Sequence, residues 1–236
     1  MRKRKYLIGA TLGVLGALTF ASTASAGPVS QTLSTTLSPA KQSKKTFGGV
    51  SLHNDIATTF SGFDSPPSKT VFTIPPDVKF TAGNIPVCPL SSVQNKPDAT
   101  ARAACPQSIT GQGTVQAQGA LGTLNGTVTF FRGDSAQGQD IIVHTIVGGA
   151  LILDILGRIQ GNILTFTNLP NTGSQVLTDF NTTFNKRKTG KKSFYVMARC
   201  KKKKWSTTET TTFYNGTNPN GPTLSASSSQ KCKQKK

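Results

Sequence analysis

The chain has 236 residues, 4 cysteines, and 27 lysines and arginines against 9 aspartates and glutamates, for a net charge of +18. That length suits one large β domain or two small ones, and no linker-like stretch divides it, which favours one. No cysteine sits in a C-x-x-C spacing, which excludes the usual zinc sites, and so large an excess of positive charge points to polyanionic partners.

Residues 1–26 run from a basic cluster, Arg2-Lys3-Arg4-Lys5, through an apolar stretch over 7–20, into Ala24-Ser25-Ala26. That order reads as a secretory signal peptide cut after Ala26. The apolar stretch falls short of the roughly 20 residues that span a bilayer, so no transmembrane segment is expected after cleavage. A single domain is expected over 27–230 and a basic tail over 231–236, in a protein secreted to the extracellular space or the cell surface.

Beyond the signal, alternating β-branched segments are separated by Gly, Pro and Asn. Strands are predicted at 32–37, 50–60, 70–74, 107–118, 123–132, 140–147, 150–160, 163–168, 176–186, 192–201, 205–214 and 223–230. They predict an all-β protein, an antiparallel β-sandwich of about ten to twelve short strands. One short helical turn is expected over 98–104, where alanine dominates and Asp98 stands at the N-terminus. Gly148-Gly149 reads as a two-residue hairpin turn. It would pair His144 with Leu153 and put Asp154 on the opposite side of the sheet. The stretch 141–159 is apolar on both strand faces and marks the centre of the core.

Four cysteines in an oxidising compartment predict two disulfides, with three possible connectivities. Proximity favours Cys88 with Cys105 and Cys200 with Cys232, each worth about 3 to 4 kcal/mol by loop closure.

Positive charge is concentrated at the end of the chain. Residues 186–236 hold 14 lysines and arginines against the single acid Glu209, whereas the preceding 159 mature residues have 9 basic and 8 acidic groups. Lys186, Arg187, Lys188, Lys191, Lys192, Lys201, Lys202, Lys203 and Lys204 are therefore the candidate polyanion-binding residues, with Tyr195, Phe213 and Tyr214 as nearby aromatics. The alternative is a solvated basic hairpin, since Phe194, Val196, Ala198 and Cys200 alternate as a core face and Trp205 would cover a disulfide. The tail from Lys231 onward is expected to fray.

Three strings invite a chemical reading. Residues 133–138 contain Gly-Asp-Ser but lack the rest of a serine-protease nucleophile motif, and hairpin loops use these residues for their own turns. His144 would form a dyad with Asp154 only through a bulge; the simpler expectation is a hydrogen-bonded core histidine, with Asp154 paired to Arg158 along its own strand face. Residues 188–193 end like a phosphate-binding loop but lack its upstream glycine and the helix that follows it.

The order Thr70-Val71-Phe72-Thr73-Ile74-Pro75-Pro76-Asp77-Val78-Lys79-Phe80, then Asn84-Ile85-Pro86-Val87-Cys88, then Ala104-Cys105-Pro106, resembles a group of secreted actinobacterial proteins with paired cysteines and no assigned activity. Leu177-Thr178-Asp179-Phe180 and the run from Cys200 through Lys204-Trp205 and Phe213-Tyr214-Asn215-Gly216 to Cys232 are similar to the same group, whereas residues 147–173 match it least. The resemblance implies an exported β-rich domain and brings no catalytic residue or ligand. The combined expectation is a secreted, non-enzymatic extracellular or cell-envelope protein that binds anionic wall or surface polymer through its basic end. No specific nucleic-acid recognition, cofactor or metal is expected. A carbohydrate-binding module is the alternative, and a secreted hydrolase comes third.

Overall fold

The computed structural model describes residues 28–61, 65–119, 122–173 and 175–235, so the expected signal peptide lies outside the described residues. The strands in chain order are β1 (Pro28–Ser38), β2 (Lys41–Gln42), β3 (Gly48–Gly49), β4 (Ser51–Phe60), β5 (Pro67–Thr73), β6 (Val78–Phe80), β7 (Ile109–Gly119) and β8 (Gly122–Arg132). They continue as β9 (Ile141–Val147), β10 (Leu151–Gln160), β11 (Ile163–Phe166), β12 (Gln175–Phe184), β13 (Val196–Ala198), β14 (Lys204–Phe213), β15 (Thr223–Lys231) and β16 (Lys233–Gln234). Between β6 and β7 lie two short helices, α1 (Leu90–Val93) and α2 (Asp98–Ala104). The fold is all-β, as the alternation predicts.

Eleven strands join in one sheet in the order β1-β4-β12-β7-β8-β9-β10-β11-β5-β14-β15, each pair of neighbours antiparallel. The sheet curls into a nearly closed barrel, so opposite walls of one sheet supply the face-to-face packing that a sandwich takes from two. With eleven antiparallel strands the first and last run in the same direction, and β1 meets β15 in parallel. Side chains make this seam. Ser228 Oγ accepts from Thr35 N–H at 2.8 Å, while the Gln230 amide accepts from Leu37 N–H at 2.7 Å and donates to Leu37 O at 3.1 Å. Just beyond it, β2 and β16 form a true parallel backbone pair. The tail expected to fray is thus held: Lys233 N–H donates to Ala40 O and Lys235 N–H to Gln42 O.

The strand expected over 192–201 is regular only in β13, which pairs with β3 and β6 in a small sheet across one barrel end. Both disulfides form as expected, Cys88 to Cys105 and Cys200 to Cys232. The first pins α1 and α2 against the outside of β8–β10, where Val93, Ala101, Phe131 and Ile142 make a second small core. This flap is why β9 is buried on both faces.

The β9–β10 hairpin corrects the predicted register. Gly148 and Gly149 take left-handed φ values of 60° and 75°, and Ala150 N–H closes the expected tight turn onto Val147 O. Ala150 is then left over as a bulge, so Val147 pairs with Leu151 and His144 with Asp154. The one-residue slip turns Asp154 to the outer face. There it bonds His144 and the Asn95 N–H rather than Arg158, and the barrel interior is spared a second central carboxylate.

Candidate functional site

Three places could carry function: the basic end, the His144 pair and the barrel interior. At the basic end, β3-β13-β6 lies over an aromatic plug in which Phe80, Phe184 and Tyr195 sit with ring centroids 5.5 to 6.0 Å apart. Cys200 N–H donates to Ser43 O at 2.8 Å and Cys232 N–H to Lys203 O at 3.0 Å, so the 201–204 turn is tied both to the 41–45 segment and, through the disulfide, to the segment after β15. Trp205 is buried beside this disulfide and donates its indole N–H to Arg199 O at 2.8 Å.

Lys201, Lys202, Lys203 and Lys204 are all exposed there, and the fold adds Lys41, Lys44, Lys45, Lys231, Lys233 and Lys235, also exposed. Asp77 is already engaged, by Arg199 Nε at 2.9 Å and by Lys201 N–H at 3.1 Å. Among the described residues no lysine forms an ion pair; the carboxylates that pair do so with Arg102, His144 and Arg199. Lys203 holds a left-handed φ of 58°, a conformation costing a non-glycine residue about 1 kcal/mol, so the turn carries charge where Gly or Asn would fold better.

The other predicted group lies in a hairpin of its own. Residues 187–195 form a hairpin in which Asn84 N–H bonds Thr189 O, and the Arg187 guanidinium donates to the carbonyls of Gln107 and Ile109. Lys186 lies over the Phe194 ring at 5.4 Å. Lys188, Lys191 and Lys192 are exposed, and β13 lies between them and the 201–204 turn in the chain. Nothing local in the sequence announces Lys41, Lys44 and Lys45; only the parallel seam places them.

His144 meets Asp154 at 2.7 Å and lies edge-on to Phe131. Its ring is fully buried beneath the flap and its Nε2 has neither solvent nor a partner, which suits a packed, oriented histidine. Ser135 is elsewhere, donating to Asp140 at 2.5 Å in a loop that Asp134 caps through the Ala136 N–H.

The barrel interior contains a site that strand reading passed over. In β14 the residues Trp205, Thr207, Glu209, Thr211 and Phe213 alternate inward and are buried, and that period-2 pattern was the available signal for Glu209. Glu209 is 2% exposed. Its Oε1 accepts from Thr211 at 3.1 Å and from the Gln31 amide at 3.4 Å, while its Oε2 and the Gln31 Oε1 are buried without partners. Burial pushes its carboxyl up to about 7, against a smaller downward pull from the Thr211 hydroxyl. Both side chains line a cavity of about 110 Å³ whose other walls include Phe72, Val143, Leu164 and Phe180.

Searches against protein-family models, curated proteins and solved structures found no match to this chain. The functional reading therefore rests on the chain's own geometry.

Proposed function

We propose that this is an exported, non-enzymatic protein of the cell envelope or extracellular space that docks onto anionic polymer through the basic end of its barrel. The carrying observation is the gathering of exposed, unpaired lysines from 41–45, 201–204 and 231–235 onto one end. Ten like charges on a small surface repel one another and are relieved by a polyanion, whose condensed counterions are released on binding. The left-handed Lys203 supports the same reading, because turn stability alone favours another residue there. Two disulfides are compatible with export.

The test is retention of the mature protein on isolated anionic wall polymer across a salt series. Wild type should bind at low salt and release steeply as salt rises. Replacing Lys201, Lys202, Lys203 and Lys204 with Ser should remove most of the binding with little change in stability, since such exposed positions usually cost under about 0.5 kcal/mol. Equal retention of both proteins, or retention indifferent to salt, would sink the proposal.

A further inference from the structure

The interior cavity runs from Phe184 of the aromatic plug toward the barrel end opposite the lysines, and Gln31 and Glu209 line it beyond the plug. Gln31 pairs with Thr58, whereas Ser38, at the other end of β1, pairs with Ser51 next to β3 of the small end sheet. Thr58 and Pro67, both half-buried, line the cavity. Its chemistry inverts that of the surface: in a chain with 27 basic residues, the described lining turns the Glu209 carboxyl inward and holds no Lys, Arg or His. The buried polar atoms of the lining without partners are Glu209 Oε2 and Gln31 Oε1, both acceptors when Glu209 is ionised, and the remaining walls are largely apolar. Buried acceptors without donors are costly and rare in folded proteins, so two of them facing one cavity specify a donor-bearing guest.

We propose that the barrel interior binds a small, mainly apolar molecule carrying a protonated amine, whose N–H groups are taken by Glu209 Oε2 and Gln31 Oε1. A hydroxyl supplies one donor, an ammonium three, together with the charge that complements an ionised Glu209. The size also selects. A cavity of about 110 Å³ is somewhat smaller than the roughly 150 Å³ apolar cavity known to hold benzene, so the guest is one small ring or a short alkyl chain. The site is separate from the basic end and needs no polymer.

Three compounds of one shape decide the matter: cyclopentylamine, cyclopentanol and cyclopentanecarboxylate, titrated calorimetrically into the whole mature protein at pH 8. The amine should bind about tenfold to a hundredfold more tightly than the alcohol, the range expected of a hydrogen bond to a charged group, and the carboxylate should not bind. Glu209→Gln should reduce the amine to the affinity of the alcohol. Ile155→Phe, which fills the cavity from its wall, should abolish both. Equal affinity for amine and alcohol in wild type, no binding of either, or full amine binding by the filled variant would each overturn the proposal. The wild-type comparison decides it even if a variant fails to fold.

Discussion

Replacing Glu209 with Gln should stabilise the protein, and only where the solution is alkaline enough to ionise the natural side chain. A carboxyl ordinarily near 4.5 is raised to about 7 by burial in β14, so the folded state holds this proton more tightly than the unfolded chain does. For such a group, stability is greatest below the unfolded value, declines as pH rises between the two, and levels off above the folded value. The gap between 4.5 and about 7 corresponds to about 3 kcal/mol lost by pH 8, at the factor of 1.36 kcal/mol per decade. Gln keeps the shape and never ionises. Urea unfolding followed by the fluorescence of the single tryptophan, Trp205, gives both proteins a common probe, and that residue is buried in the native state. At pH 4 the two should agree within about 1 kcal/mol; at pH 8.5 the variant should be ahead by about 3 kcal/mol. In a thermal melt the same difference would appear as roughly 6 to 12 °C for a chain of this size. Asp179 is also raised, first by burial and then by Asp55, but it is present in both proteins and drops out of the difference. A constant offset between the two proteins across pH 4 to 8.5 would refute the placement of Glu209 in an apolar interior.

Two further outcomes follow from particular contacts. Gln230→Ala removes the clasp that satisfies both backbone groups of Leu37, so it should cost about 2 kcal/mol in denaturant unfolding and leave β1 and β15 able to pair with another molecule, giving concentration-dependent dimers in light scattering; a monomer of unchanged stability would show that the seam closes without it. Asp154→Ala strands both the buried His144 ring and the Asn95 N–H and should cost about 2 to 4 kcal/mol, while adding His144→Phe should recover part of the loss, because removing both partners costs less than orphaning one; strictly additive losses in the double-mutant cycle would contradict the pair.

Much of the fold was legible because period-2 burial is a local property. The alternation in β14 places Trp205, Thr207, Glu209, Thr211 and Phe213 on one face, and the alanine-rich run over Asp98–Ala104 forms the expected helix. The β9–β10 register was not legible. Both the tight turn and the turn plus bulge use the same Gly148-Gly149, and only the competition between burying Asp154 inside the barrel and pairing it with His144 outside chooses between them. The site at Glu209 was half-legible. The strand pattern turns it inward, yet the cavity depends on Phe72, Leu164 and Phe180, which reach it from strands far apart in the chain.

The basic end is a consequence of strand number, which no local pattern expresses. In an antiparallel barrel with an even count, β1 and its last neighbour would run in opposite directions, and the segments following them would leave from opposite ends. With eleven they run together, so residues 41–45 after β1 and 231–235 at the end of β15 emerge side by side and pair as β2 and β16. The charges of Lys41, Lys44 and Lys45 therefore belong to the same surface as those of Lys201 to Lys204, although about 160 residues separate them in sequence. Replacing Lys41, Lys44 and Lys45 with Ser should leave the pairing intact, because the backbone groups of Ala40 and Gln42 make it. The variant should lose anionic-polymer binding to a degree comparable with substituting three lysines of the 201–204 turn, and its salt dependence should become shallower as fewer counterions are released. Retention on isolated wall polymer across a salt series measures both. Full retention with an unchanged salt slope would mean that polymer contacts the turn alone, and the shared surface at the barrel end would have no part in binding.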